Sequence, residues 1–386
     1  MKLNKIFVFI FKKNILTTVF TMFLIFLVMF SKSNMFAAKN GLTLWAGHVI
    51  PSLFPFFIAT ELLNYTRLPY YLGKLTNKLM NPLFNVPGEG SYAFIMGIIS
   101  GYPVGAKIIN KFVEEGTCTK SEAERMLAFT NNSGPLFIIG TVGISLFGDI
   151  KIGIILFITH ILACLTVGIL FGVTSRKKYE KNYINNINNR NINRNINKNR
   201  INDKNIKNRN FSNRIINKTN NSRSRGNSTT NDYTISDLGA ILSNSINNAI
   251  STILLIGGFI VLFSIIISIF NNLKIIDYAS DFLSYINIPK EYGKCIITGL
   301  LELTNGVNLI SSLHTKQMSI QIVVCAFLLG FAGISIFLQI FSIAAKNNLS
   351  MKPYLLGKIL QGLLAALYTF AILYCFDGFY FNLITI

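Results

Sequence analysis

Ser100–Lys107 reads SGYPVGAK, and it lies inside AFIMGIISGYPVGAKIIN (93–110), a run otherwise apolar enough to enter a bilayer. Lipid cannot hydrogen-bond the amides freed by a broken helix, so irregular backbone at membrane depth survives only within protein or beside water. The octapeptide disrupts a lipid-facing helix four times over. Pro103 removes a donor, Gly101 and Gly105 loosen the turn, and Lys107 carries charge. A half-helix starting near Pro103 would aim free N–H groups and a positive dipole end at whatever precedes it.

The rest of the chain supports a membrane setting. Of 386 residues, 51% are hydrophobic and 13% charged, with 32 Phe and a mean hydropathy of +0.47. Ordinary soluble domains carry about 25% charged residues. The formal charge of +20 is unevenly spread. Between Arg176 and Arg225 fifteen basic residues face only Glu180 and Asp203, which accounts for thirteen of the twenty. That Asn/Ile/basic segment has no amphipathic period and is expected to be disordered. It reads either as an arm for anionic lipid or nucleic acid, or as an insertion in a cytoplasmic loop. The second reading is adopted, and no nucleic-acid partner is expected. The five cysteines (118, 164, 295, 325, 375) lack metal or disulfide spacing and mostly sit in apolar blocks. The histidines (48, 160, 314) are dispersed, and His160 reads as a packed core residue. No catalytic residue, metal ligand or cofactor motif emerges. Lys2, Lys5, Lys12 and Lys13 precede an apolar run at 14–31 that reads as an uncleaved signal anchor.

Apolar blocks fall at 14–31, 49–64, 91–109, 134–148, 151–173, 250–270, 292–312, 318–345 and 354–376. The basic segment divides them into halves with matching parts. NVPGEG (Asn85–Gly90) recurs as NIPKEY (Asn287–Tyr292), and Gly97 pairs with Gly299 at the same offset. Positive-inside reasoning places the N-terminal lysines and the basic segment in the cytoplasm. Five blocks between them give the wrong parity, so one must enter and return. The block at 119–148, with TNNSGP (Thr130–Pro135) at its tip, is taken as a re-entrant hairpin, and 318–345 as its counterpart. The blocks 91–109 and 292–312 are then spans, and the halves are inverted.

Three polar interruptions form the candidate substrate-binding set. They are Ser100, Gly101, Tyr102, Pro103, Gly105 and Lys107; Thr130, Asn131, Asn132 and Ser133; and Glu302, Thr304, Asn305 and Asn308 from LELTNGVN (Leu301–Asn308). Intramembrane ionisable and amide residues mark solute or ion pathways, and paired discontinuous helices mark midplane sites. The same residues also suit helix–helix packing. Glu302 is expected to help hold a coupling proton or sodium, to pair with Lys107, or to cap a break.

LWAGHVIPSLFPFFIATELL, MGIISGYPVGAK and ERMLAFTNNSGPLFIIGTVG occur in this order. Together they resemble the sporulation integral membrane proteins of the YlbJ type, within the nucleoside-recognition (Gate) domain family. The resemblance covers nearly all of the chain outside 176–234. It implies a role in spore cortex formation, in the mother-cell or forespore membrane, and kinship with nucleoside carriers and the membrane part of ferrous-iron transporters. It brings no assigned substrate and no catalytic residues. The expected fold is an all-α polytopic membrane protein of two inverted Gate-type repeats with broken helices and re-entrant hairpins. Residues 1–48 form an anchor and connector, 49–175 and 235–386 the repeats, and 176–234 the linker. The expected function is that of a permease-like transporter or sensor of a small polar solute. The alternative is a non-transporting assembly factor. Expected partners are the lipid bilayer, a small polar solute with a coupling ion, and spore-membrane proteins.

Overall fold

The computed structural model describes residues 15–198, 237–313 and 318–375, and every regular element among them is helical. The N-terminal lysines, His314, Lys316 and most of the basic segment lie outside the described residues. After α1 (Ile15–Met29) comes α2 (Ser31–Leu63), continuous through a π-helical turn at Trp45–Val49. Then follow α3 (Leu68–Phe84), α4 (Gly90–Ser100), α5 (Val104–Glu114), α6 (Lys120–Thr130), π-helical α7 (Leu136–Leu146) and α8 (Ile150–Lys198). The same order recurs in the second half. It comprises α9 (Leu238–Asn272), α10 (Ile275–Ser284), α11 (Lys290–Leu301), α12 (Leu303–Ser311), α13 (Met318–Phe331), α14 (Gly333–Ala344) and α15 (Lys352–Cys375). Five stretches are long and apolar enough to cross a membrane: 31–63, 150–176, 238–272, 318–347 and 352–375.

Which blocks turn back differs from the sequence reading. The hairpins are α4–α5 and α11–α12, whose arms lie side by side. Gly97 faces Gly105 across the first and Gly299 faces Gly306 across the second, so no Cβ holds the arms apart. An 11-residue arm reaches ~16 Å, half of a ~30 Å hydrocarbon layer. Blocks 91–109 and 292–312 are therefore not straight spans. Conversely, the arms α6 and α7, expected to fold back, do not pack on one another, and neither do α13 and α14. Each pair is a single rod interrupted once, at Asn131–Gly134 and at Ala332. The physical reason is glycine placement. The turn at 100–105 has glycines on facing arms, whereas TNNSGP has only Gly134 at the break itself.

The repeated Asn-[Val/Ile]-Pro motif has one structural job. Asn85 (φ 54°) and Asn287 (φ 64°) are both left-handed, closing the amphipathic helices α3 and α10 before each hairpin. Asn tolerates this conformation better than other side chains with a Cβ. Tyr70, Tyr71, Leu75 and Leu79 on α3, and Tyr278 and Phe282 on α10, remain exposed, as suits helices lying in the membrane interface.

The first long helices of each half, α2 and α9, pack antiparallel over their length. Gly41 meets Ser264, the Trp45 ring lies on Gly257 with its Nε1 donating to the Ile253 carbonyl (3.0 Å), and Asn248 donates to Glu61 (3.2 Å). An interhelical hydrogen bond in a membrane is worth about 0.6 kcal/mol. The indole surface seated against a glycine therefore carries more of this contact than the polar pairs do.

Helix α8 runs on to Lys198, into the segment expected to lack order. Elongating a helix already nucleated by its apolar part is far easier than starting one, and Asn/Ile sequence contains no proline to stop it.

Candidate functional site

Each broken rod docks its break onto the tip of its own hairpin. In the first half the backbone at Thr130 enters between the hairpin arms. A Cβ on Gly105 would stand 2.6 Å from the Thr130 carbonyl oxygen, and one on Gly97 would overlap it. Asn131 Oδ1 accepts from the Ala106 N–H (2.7 Å), satisfying one of the free donors in the first turn of α5. Gly134 lies against Ile99, Ser100 and Gly101. In the second half Gly333 (φ 81°) lies against the Gly299 carbonyl and the Leu303 N–H in the same manner. The pattern is shared, and the glycines make it sterically feasible.

The two tips meet at a small, partly open cavity. Gly101 and Tyr102 of the first hairpin face Glu302 and Thr304 of the second, with Ser133 and Gly134 from the first break and Gln339 from α14. Val49, Leu53, Phe137 and Ile256 are among the apolar lining. The cavity volume is ≈ 30 Å³. About 10–15 Å³ suffices for one water, so it holds about two waters or one small ion in this conformation, and not a nucleoside. The Tyr102 hydroxyl accepts from Ser133 Oγ (3.0 Å). Gln339 is 1% exposed, and its Oε1 has no hydrogen-bond partner among the described residues.

Glu302 is 2% exposed and caps α12. Its carboxylate accepts from the Thr304 N–H (3.0 Å), the Asn305 N–H (2.7 Å) and Asn305 Nδ2 (2.7 Å). Of the three roles open to it in the sequence, capping is the one its geometry displays. The negative group also sits where the half-helix dipole favours it. The Thr304 side chain also bonds the carboxylate, so the start of its own helix holds it from several sides. Asn305 Nδ2 also reaches Ser264 Oγ (3.0 Å).

The other candidates divide. Ser100 Oγ bonds Thr60 Oγ1 behind the first tip, and Pro103 starts α5. Lys107 does not approach Glu302 or the cavity. Its ammonium donates to Thr252 and lies 4.0 Å from Glu61, so the expected pairing is corrected to a different carboxylate. Asn308 lies one turn beyond Thr304 on α12 and does not line the cavity.

Behind the first break lies a polar cluster that the sequence reading missed. Lys358 on α15, 1% exposed, donates to the Asn131 carbonyl oxygen and to Gln361 Oε1 (2.8 Å). Gln361 Nε2 donates to Asn132 Oδ1 (2.8 Å), and the Ser133 N–H donates to His160 Nε2 (3.3 Å). His160 is thus a bonded core residue that orients the break. The signal was available: Lys and Gln three residues apart in LLGKILQGLL (355–364) interrupt an apolar span as plainly as Glu302 does. Among the described residues no group of three or more His, Cys, Asp or Glu could hold a metal ion.

Residues 46–175 match the family model described as nucleoside recognition (Gate). The chain is similar to the sporulation integral membrane protein YlbJ of Bacillus subtilis (strain 168), at 30% identity over 336 residues. The match covers 86% of this chain and 76% of that relative. No solved structure matches the chain.

Proposed function

Because the chain belongs to the family of sporulation integral membrane proteins that includes YlbJ, we propose that it serves spore cortex formation as a permease-like protein for a small polar solute. It would act in the mother-cell or forespore membrane. The observation that carries this reading is the cavity where both hairpin tips meet. Gln339, whose buried Oε1 has no hydrogen-bond partner among the described residues, lines this cavity together with a carboxylate, a phenol and two hydroxyl side chains. Tyr102, Ser133, Thr304 and Gln339 would contact the solute. Glu302, supported by Asn305, would take a coupling proton or monovalent cation. Separation of the two tips would enlarge the cavity.

In this scheme residues 1–48 anchor the chain, 49–175 and 235–386 are the two repeats, and 176–234 joins them on the cytoplasmic side. The broken rods cross the membrane and the hairpins do not. Three crossings (α6–α7, α8 and α9) then separate the first hairpin from the second, so the repeats are inverted, as in many secondary transporters.

The test is uptake or binding by the purified protein in liposomes, screened across nucleosides, metal ions and amino acids. We expect one class to be bound and Gln339→Leu to lose it by about tenfold or more, the effect of one unpaired buried polar contact. A second reading, a membrane assembly factor for cortex-building machinery, is favoured by the internal partners that most polar groups at the breaks already have. On that reading no solute class binds, and Gln339→Leu sporulates normally.

A further inference from the structure

The break after α6 leaves carbonyl groups without helical partners and coincides with the negative end of a helix dipole. Side-chain amides cover two of them: Asn131 Nδ2 reaches the Leu127 carbonyl (3.3 Å) and Asn132 Nδ2 the Phe129 carbonyl (2.8 Å). The Asn131 carbonyl is taken by neither. It faces the Lys358 ammonium, which Gln361 Oε1 also accepts from (2.8 Å) and which lies 5.9 Å from the Tyr354 ring centroid. Among the described residues no carboxylate oxygen stands within 4.0 Å of this ammonium.

A main-chain oxygen, an amide oxygen and a helix C-terminus converging on one buried point form the donor set that unwound helices offer to a free monovalent cation. Here the point is filled from within. Gly357 brings α15 against the last turn of α6, where a Cβ would stand 2.7 Å from the Ala128 carbonyl oxygen, so the lysine one residue on is delivered to the break. The Gln361 amide is held with its oxygen toward the ammonium by its own bond to Asn132.

We propose that Lys358 is a tethered cation, occupying at the first break the position that a free sodium or lithium ion would take if the side chain were shorter. The first break is consequently indifferent to the cations in solution, and any cation coupling is confined to Glu302 in the second half. The inference rests on the first break alone and holds whether or not a solute crosses the protein.

The experiment uses full-length protein in nanodiscs, in NaCl, LiCl or N-methyl-D-glucamine chloride at matched ionic strength. Thermal unfolding is followed through the one tryptophan, Trp45, and radioactive sodium binding is measured by equilibrium dialysis. For Lys358→Ala we expect a lower Tm in N-methyl-D-glucamine. Saturating sodium or lithium should recover about 5 °C, the shift a ligand well above its Kd gives a protein of this size. Lys358→Met, which keeps the apolar stem, serves if the alanine variant does not fold. The Glu302→Gln protein with Lys358 intact, which removes the other cation candidate, should show neither the recovery nor saturable sodium binding, and Lys358→Ala made in that background should show both. Saturable sodium binding by the Glu302→Gln protein with Lys358 intact would overturn the proposal. So would a Lys358 variant whose Tm ignores the identity of the cation.

Discussion

Single glycines decide whether the two hairpins exist. Gly306 stands so close to Gly299 that a methyl on Gly306 would sit inside the van der Waals surface of the Gly299 backbone, while one on Gly299 would meet the Leu328 side chain. The neighbour of Gly306 is backbone and cannot swing aside as a side chain could. Gly306→Ala should therefore force the arms of α11 and α12 apart, at a cost of about 1–3 kcal/mol for overpacking, and more if the arms cannot adjust. The control is Gly258→Ala on α9, where a Cβ would meet nothing within 4 Å. There the substitution should be neutral or stabilise by about 0.4–1 kcal/mol. Thermal unfolding of both purified variants checks the contrast. Equal Tm values would mean that the glycine pair does not set the hairpin.

At the scale of elements, the coupling between a hairpin and its neighbouring rod runs through few groups. Asn131 Oδ1 joins the α6 break to the start of α5, and the donor it satisfies is buried. Asn131→Ala leaves that N–H unpaired, which costs about 1–3 kcal/mol. It should also raise amide exchange at 104–107 selectively, with α11 and α12 unaffected. Hydrogen exchange read by mass spectrometry distinguishes this local loosening from global destabilisation. Uniformly faster exchange in both hairpins would remove the coupling role. Much of this level was legible in the sequence. SGYPVGAK, TNNSGP and LELTNGVN are the sites of the breaks, and Tyr102, Ser133, Glu302 and Thr304 do converge. What misled was inferring the turning block from crossing parity. Parity demands one re-entrant block in the first half but does not say which. The evidence that does say, glycines facing one another at 97 and 105, appears only when arm is laid on arm. Lys358 and Gln361 stand out in LLGKILQGLL as polar interruptions of an apolar span, but nothing in the sequence says that the break they serve is the distant one at 131–134.

At the scale of the whole molecule, contacts between distant segments fix which loops share a side. Asn347 Nδ2 donates to the Asn110 carbonyl (3.1 Å) and to Glu114 Oε1 (3.3 Å), and the Ser350 N–H donates to Glu124 (2.8 Å). The turn after α14 thus touches the base of the first hairpin, so both lie on one face of the membrane. If 91–109 were a span and 318–345 re-entrant, these groups would be on opposite faces. On the proposed topology, with the hairpins at α4–α5 and α11–α12, Arg67, Lys74, Lys78, Lys111, Lys120, Arg125, Lys346 and Lys352 fall on the side of the basic segment, and Lys151, Lys274, Lys290 and Lys294 on the other, the excess the positive-inside rule favours. On the proposed inverted arrangement the base of the second hairpin faces the other way. Glu115→Cys and Tyr285→Cys, each at an exposed position and each made with the exposed Cys375 changed to Ser, turn this into a measurement in intact cells. A membrane-impermeant maleimide should label Tyr285→Cys from outside and reach Glu115→Cys only after the cells are opened. Labelling of both from outside would place the hairpin bases on one face, and the inverted arrangement, with its meeting of two opposed tips at one cavity, would have to be abandoned.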